Sequence, residues 1–252
     1  MTQAEPRVIV VTGASRGIGA ATARLAARAG YAVCVNYLGN RAAADEVVAE
    51  IRAAGGEAVA VQADVGVEAD VVRLFEECDR TLGKIDALVN NAGILEQKMR
   101  LEAMDAGRLE RVIRTNIVGS FLCAREAVKR MSTRHGGKGG AIVNVGSAAS
   151  RIGSPAEYID YAASKGAIDT MTVGLAKEVA MEGIRVNCVR PGLIRTDIHA
   201  SGGEPNRVER VKSAVPMQRG GDADEVAHAI VWLLSDEASY CTGALLDVSG
   251  GR

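Results

Sequence analysis

The sequence predicts one α/β domain, a parallel sheet of about seven strands with helices on both faces. Three observations predict it. Short β-branched apolar runs alternate with helical patterns along the chain. Those runs are continuously apolar rather than alternating, as strands covered on both faces are. Aromatic residues make up only 3% while Ala, Val and Gly abound, and small side chains let helices pack closely on a sheet. A length of 252 residues suits one large α/β domain. No repeat, low-complexity block or Pro/Ser-rich linker divides it, so residues 1–252 read as a single unit.

The first strand is Arg7–Val11, bounded by a Gly-rich turn. Residues 17–29 read as a helix closed by Gly30, 32–35 as a strand, 41–54 as a helix ended by Gly55-Gly56, and 58–61 as a third strand. A helix over 68–82 stops at Gly83 before a fourth strand at 85–89. Helical patterning covers roughly 103–133 and is interrupted near Asn116, a poor mid-helix residue. A fifth strand at 141–145, a helix at 159–181 and a sixth strand at 184–189 follow. Asp222 and Glu225 are placed as a capping box for a helix over 222–235, and 244–248 is the last strand. Two segments escape the alternation. Gly136-Gly-Lys-Gly-Gly140 reads as a flexible connector, and residues 193–221 are long, polar and contain Gly202-Gly203. Ligands of such sheets bind beyond the carboxyl ends of strands, so 193–221 is expected to be a substrate lid rather than a disordered loop.

Composition excludes several classes. Thirty Lys+Arg against 31 Asp+Glu give a net charge of -1, which makes no electrostatic case for nucleic acid or an anionic membrane. No wholly apolar stretch approaches the roughly 18 to 20 residues of a membrane span, and residues 1–6 lack the basic and apolar parts of a signal peptide. Five dispersed cysteines with no C-x-x-C pair read as reduced core thiols of a cytoplasmic protein. His135, His199 and His228 lack metal-ligand spacing, so no metal is expected and all three read as surface residues. Arg207, Arg210 and Lys212 read as a solvated helix face, or in a sharper reading as a site for an anionic substrate tail such as a carrier phosphopantetheine. Trp232 reads as core or as a subunit contact.

Several residues carry possible chemistry. Thr12-Gly-Ala-Ser-Arg-Gly-Ile-Gly19 joins the first strand to the first helix; its glycines permit close approach to a pyrophosphate, and the helix offers free N–H groups. The spacing of Gly13, Gly17 and Gly19 is G-x-x-x-G-x-G, and taken alone the loop also reads as a packed strand–helix turn. Asn90-Asn-Ala-Gly93 ends the fourth strand, as a cleft wall or an ordinary turn. Tyr161 and Lys165, four apart, share a helix face; an ammonium beside the phenol is expected to lower its pKa and make Tyr161 an acid/base. Alone, the pair also fits two surface residues. Tyr158 competes, but position 162 is Ala, so it has no matching lysine. Ser147 follows the fifth strand, as a cleft hydroxyl or a helix cap.

Taken in order, the glycine loop, Asn90–Gly93, Asn116, Ser147 and Tyr161-Ala-Ala-Ser-Lys165 resemble the short-chain dehydrogenase/reductase family across nearly the whole chain. Pro191-Gly192 with Thr196, Thr242-Gly243 and Asp247–Gly251 resemble its later motifs. The resemblance implies a Rossmann-like doubly wound sheet, a homotetramer, and hydride transfer between a nicotinamide cofactor and a carbonyl or secondary alcohol. It implies a catalytic tetrad of Asn116, Ser147, Tyr161 and Lys165. Tyr161 would give the proton, Ser147 would bind the reacting oxygen, Lys165 would hold the nicotinamide ribose, and Asn116 would support a proton-relay water. Cofactor contacts are expected from Gly13, Ser15, Arg16, Gly17, Ile18, Gly19, Asp64, Val65, Asn91, Ala92, Gly93, Tyr161, Lys165, Pro191, Gly192, Ile194 and Thr196. Tyr161 falls 14 positions after Ser147, one more than in many relatives, which suggests a different substrate loop.

An acidic residue ending the second strand would favour NAD(H). Here Val35-Asn-Tyr-Leu-Gly-Asn-Arg41 has none, while Arg16 and Arg41 offer phosphate partners and Asn36 a neutral contact. NADP(H) is therefore favoured, with NAD(H) as the other choice. The leading expectation is a carbonyl reductase or alcohol dehydrogenase. The alternatives are a 3-oxoacyl-carrier-protein reductase, an NAD-dependent sugar or steroid dehydrogenase, and a non-catalytic dinucleotide-binding sensor.

Overall fold

A computed structural model describes residues 6–252. The elements in chain order are β1 (Arg7–Val11), α1 (Gly17–Arg28), β2 (Tyr31–Tyr37), α2 (Arg41–Ala53), β3 (Ala58–Gln62), α3 (Glu68–Thr81) and β4 (Ala87–Asn90). Then come α4 (Ala106–Ile113), α5 (Gly119–Met131), β5 (Gly140–Val145), α6 (Ala149–Ile152), α7 (Ile159–Val179), β6 (Ile184–Pro191) and β7 (Ile194–Arg195). The chain closes with α8 (Ile198–Ser201), α9 (Arg207–Val211), β8 (Gly221–Asp222), α10 (Ala223–Leu234) and β9 (Leu245–Val248).

Seven strands form one sheet in the order β3-β2-β1-β4-β5-β6-β9, every pair parallel. The chain steps outward from β1 in one direction, then returns to its other side at β4. That reversal opens a crevice between the carboxyl ends of β1 and β4, where ligands of such sheets bind. The central strands explain their own pattern. In β1, Ile9 and Val11 face one helical layer while Val8 and Val10 face the other. Each residue of the run is therefore apolar, and the side-chain alternation carries no polar signal.

Boundaries shift by a few residues from the sequence reading, and two segments differ in kind. The glycines at 136–140 do not make a loose connector. A Cβ on Gly140 would strike the Asp86 carbonyl and the Met131 sulfur, so the run is glycine because backbones pass in contact there. Residues 193–221 are not a plain loop either. They fold as α8 and α9, with ends clipped together by β7 pairing with β8. The expected break near Asn116 is a single wide π-type turn, Arg114–Val118, which joins α4 to α5 without ending the helical path. At the start of α10 the Glu225 carboxylate accepts from the Asp222 N–H at 2.9 Å, the reach-back of the expected capping box.

Trp232 is 41% exposed while Leu233 and Leu234 are buried, so the indole lies on the surface and not in the core. All five cysteines are free thiols, four of them buried. No described helix is long and apolar enough to cross a membrane, and no described cluster of His, Cys, Asp and Glu fits a metal ion.

Candidate active site

One cleft of about 790 Å³ runs across the carboxyl edge of the sheet from the β1–α1 loop to the segment after β6. Its nucleotide end is built by two loops that hold each other. Thr12 Oγ1 accepts from the Asn91 and Ala92 N–H groups, both at 3.0 Å, and Asn91 Nδ2 donates to the Thr12 and Gly13 carbonyls at 2.8 and 3.1 Å. Gly19 packs against this clamp, since a Cβ there would lie 2.5 Å from Asn91 Nδ2. Gly13 and Gly17 take positive φ of 61° and 56°, a region that favours glycine. The N-terminus of α1 borders the cleft, and no side chain caps its first N–H groups. A glycine cradle ending on an uncapped twelve-residue helix fits a dinucleotide pyrophosphate.

Every predicted cofactor contact lines this cleft except Gly19 and Arg41. Gly19 shapes the loop from behind. Arg41 lies outside the cleft lining and pairs with Asp45 at 3.3 Å, with its side chain 79% exposed. Asn36 reaches the cleft and is also tied to the backbone around it. Its Oδ1 accepts from the Gly13 N–H at 3.1 Å, and its Nδ2 faces the carbonyls of Tyr37, Val61 and Ala63 at 3.1–3.4 Å. These contacts fix the glycine loop to β2 and β3 and leave one acceptor site on Oδ1. Arg16 remains at the rim, exposed and without a carboxylate partner among the described residues. Asp64 accepts from the Gly66 N–H at 2.8 Å, which aims the Asp64–Val65 turn into the cleft.

At the other end, β5 delivers Ser147 and α7 delivers Tyr161 and Lys165 to the same wall. Lys165 is buried, donates to the Val145 carbonyl at 2.7 Å, and stands 5.6 Å from the centroid of the Tyr161 ring. Burial pulls the Lys165 ammonium down to about 8. Burial also raises the Tyr161 phenol above its ordinary value of 10.0, with a hydrogen bond from Ser147 acting the other way. Lys165 is not among the groups that shift the phenol in this structure, where desolvation dominates. Ser147 Oγ also accepts from the Ala149 N–H at 3.1 Å, so the hydroxyl caps α6 while facing the cleft.

Asn116 is buried behind this wall rather than in it. Its amide pairs with both backbone groups of Ile94, at 2.8 and 3.1 Å, and Nδ2 donates to Ser164 Oγ at 3.0 Å. Beneath it lies a polar ladder that sequence reasoning missed. Asn90 Nδ2 donates to Asn144 Oδ1 at 3.0 Å, and Asn144 Nδ2 donates to Thr172 Oγ1 at 2.9 Å, tying β4, β5 and α7 together. Amides inside apolar strand runs are the signal that could have found it.

Tyr158 is 2% exposed and ties segment 193–221 to the loop before α7, with its hydroxyl 3.2 Å from Glu204 and the Arg207 guanidinium stacked 4.8 Å from its ring. Glu204 also accepts from Lys98 at 3.1 Å, Arg207 at 2.7 Å and Arg210 at 2.9 Å, while Glu157 pairs with both arginines. Lys212 pairs with Glu209. Arg207, Arg210 and Lys212 are thus paired within segment 193–221, and Arg207 and Arg210 also with Glu157 of the preceding loop, while Arg210 and Lys212 stay half-exposed. His199 is half-buried on the cleft wall and bonds the Ile194 carbonyl at 2.8 Å, so it is not a surface residue.

Comparison with known proteins agrees with this architecture. Residues 13–252 match the family described as enoyl-(acyl carrier protein) reductase. The chain is 61% identical to an uncharacterized oxidoreductase of Escherichia coli, covering 97% of this chain and 99% of that protein. The chain belongs to the short-chain dehydrogenase/reductase family. It is also 41% identical to a 3-oxoacyl-[acyl-carrier-protein] reductase of Synechocystis, over 100% of this chain and 98% of the relative. A short-chain dehydrogenase of Burkholderia cenocepacia, solved in complex with NADP, superposes with a TM-score of 0.90 at 32% identity and 97% coverage of both chains. As a short-chain dehydrogenase/reductase, the protein is an oxidoreductase acting on CH–OH or C=O groups.

Proposed function

We propose that the protein is an NADP(H)-dependent carbonyl reductase, with Tyr161 as proton donor. The observation that carries this is the convergence of Ser147, Tyr161 and a buried Lys165 on one wall of a cleft whose far end is a dinucleotide cradle. Bound NADP(H) supplies or accepts the hydride. The chain's own residues do the rest. The α1 N-terminus and the glycine loop hold the pyrophosphate, Arg16 meets the 2′-phosphate, Asp64–Val65 borders the adenine, and Lys165 binds the nicotinamide ribose. Ser147 donates to the substrate oxygen and stabilises its developing charge. A phenol raised above 10 keeps its proton at neutral pH, so Tyr161 is poised to donate it to that oxygen.

Asn116 positions Ile94 and Ser164 around this wall, and residues 193–221 act as the lid. Exposed Phe121 and Val118 on α5 and its π turn support assembly as a homotetramer. Reduction of 3-oxoacyl thioesters is a second reading, favoured by the names of relatives at 37–41% identity. The test is titration with NADPH and NADH, followed by a panel of ketones, β-keto esters and 3-oxoacyl thioesters monitored at the NADPH absorbance. NADPH binding at least tenfold tighter than NADH, with turnover of some carbonyl, is expected. Binding without turnover of any of them would overturn the enzymatic reading, and tighter NADH binding would overturn the role of Arg16.

A further inference from the structure

The N-terminal turn of α7, which carries Tyr161, is held by polar contacts: Ser164 Oγ accepts from Asn116 and donates to the Tyr161 carbonyl at 2.7 Å, and Lys165 donates to the Val145 carbonyl. Its N-cap residue, Tyr158, makes no side-chain capping bond. The loop before it contains Ser154 and Ala156 at positive φ of 46° and 60°, unfavourable for residues with a Cβ. Beyond Tyr161 the helix reads Ala-Ala-Ser-Lys-Gly-Ala, and the first large buried apolar side chain is Ile168. Within the turn only the small Ala162 is a buried apolar side chain, and the buried Tyr158 at the N-cap packs toward Glu204 and Arg207, so large apolar knobs of α7 itself do little to fix the rotation of the turn.

A buried ion pair supplies what packing does not. Asp160, the residue before Tyr161, takes a forked contact from Arg108 of α4, with Nε–Oδ2 at 2.7 Å and Nη2–Oδ1 at 3.2 Å. The two side chains are only 4% and 3% exposed. The third arm of the guanidinium donates to the Gln97 carbonyl, in the segment that lines the cleft opposite Tyr161. One side chain thus joins α4, the cleft-lining segment and the catalytic turn. A buried ion pair is weak evidence for stability, because apolar residues of similar size often do as well. What a fork does uniquely is fix orientation.

We propose that the Arg108–Asp160 pair is a positioning device that sets the angle of the first turn of α7, and hence where the Tyr161 hydroxyl meets Ser147. This rests on Tyr161 being the proton donor. The leverage is large: the phenol oxygen lies about 9 Å from the helix axis, so a rotation of about 10° moves it about 1.5 Å. Misplacements of about 1 Å cost on the order of 100-fold in rate.

The test uses the full chain with two sets of variants. Arg108→Met/Asp160→Leu replaces the pair with apolar groups, and Asp160→Asn and Arg108→Lys keep the packing but spoil the fork. Three readouts are taken on each: hydrogen exchange of segment 158–166, NADPH affinity by fluorescence, and kcat and KM for reduction of ethyl 3-oxobutanoate by NADPH. The expected result is exchange at least fivefold faster in 158–166 with the central strands unchanged. NADPH affinity should stay within twofold, and kcat should fall at least tenfold with KM little moved. Unchanged local exchange would overturn the proposal, as would wild-type kcat in Asp160→Asn. Should the double variant not fold, the single conservative variants decide. Failure of the wild type to reduce the probe would count against the carbonyl-reductase reading, while the exchange experiment would still judge the pair.

Discussion

Replacing Gly19 by alanine tests whether the nucleotide cradle is built as described. Gly19 is the third residue of α1 and its φ is ordinary, so on backbone grounds alanine should stabilise the helix by about 1 kcal/mol. The structure predicts the opposite. The new Cβ would lie 2.4 Å from the Gly13 carbonyl oxygen and 2.5 Å from Asn91 Nδ2, inside the 3.0 Å that real Cβ atoms respect. A swing of Asn91 alone would leave the Gly13 contact, so α1 must move outward by roughly 1 Å, at the expense of the Asn91 bonds to the Thr12 and Gly13 carbonyls at about 1 kcal/mol each. Overpacking adds about 1–3 kcal/mol. The net expectation is about 2–4 kcal/mol of destabilisation, or about 5–10 °C in thermal midpoint for a chain of this size. NADPH affinity should fall at least tenfold, because the N–H groups of the cradle shift with α1. Differential scanning calorimetry and NADPH fluorescence titration read both. A midpoint within 1 °C and an affinity within twofold of wild type would refute the clamp.

Three further expectations follow from the same geometry. Asn36→Asp should not convert the protein to NADH use; its new carboxylate oxygen would face three backbone carbonyls, so thermal midpoint and affinity for both cofactors should drop together. Glu204→Gln should raise the carbonyl KM several-fold with a smaller effect on kcat, since it removes the charge that Lys98, Arg207 and Arg210 share. In the wild type those cations hold the Glu204 carboxyl down to about 2, against an ordinary 4.5. Its contribution is therefore complete above pH 4.5 and is lost as pH falls toward 2, which acid unfolding of wild type against Glu204→Gln measures. Lys165 is displaced the other way, with a folded value of about 8 below the ordinary 10.5. Its buried charge opposes folding below pH 8 and is relieved between pH 8 and 10.5. Wild type should gain about 3 kcal/mol on Lys165→Met over that window, measured by denaturant unfolding.

The sheet was legible because its signal is local. Continuous runs such as Val8–Val11 and Ala32–Val35 are what strands covered on both faces of a parallel sheet require. The meeting of Ser147, Tyr161 and Lys165 on one cleft wall was legible because Tyr161 and Lys165 are four apart on one helix, and Ser147 directly follows a strand. What stayed hidden depends on partners far away in sequence. Arg108 and Asp160 are 52 residues apart, and Tyr158 and Glu204 are 46 apart, so neither pairing leaves a local pattern. The Asp45 partner of Arg41 is one turn away and was open to view, but the backbone carbonyls that meet the Asn36 amide come from β2 and the end of β3 and leave no local mark. The desolvation that raises the Tyr161 phenol is likewise a property of the whole fold and not of spacing.

The most direct test of the central claim compares wild type with Tyr161→Phe, first for NADPH affinity and then for single-turnover oxidation of bound NADPH by the carbonyl that wild type reduces fastest. The phenyl ring keeps the packing and removes only the proton. The account predicts an affinity within twofold and a rate at least 1,000-fold lower, of the order expected when an acid is lost along with its hydrogen bond to the reacting oxygen. Turnover close to wild type with intact cofactor binding would contradict it and move the proton donor to another group.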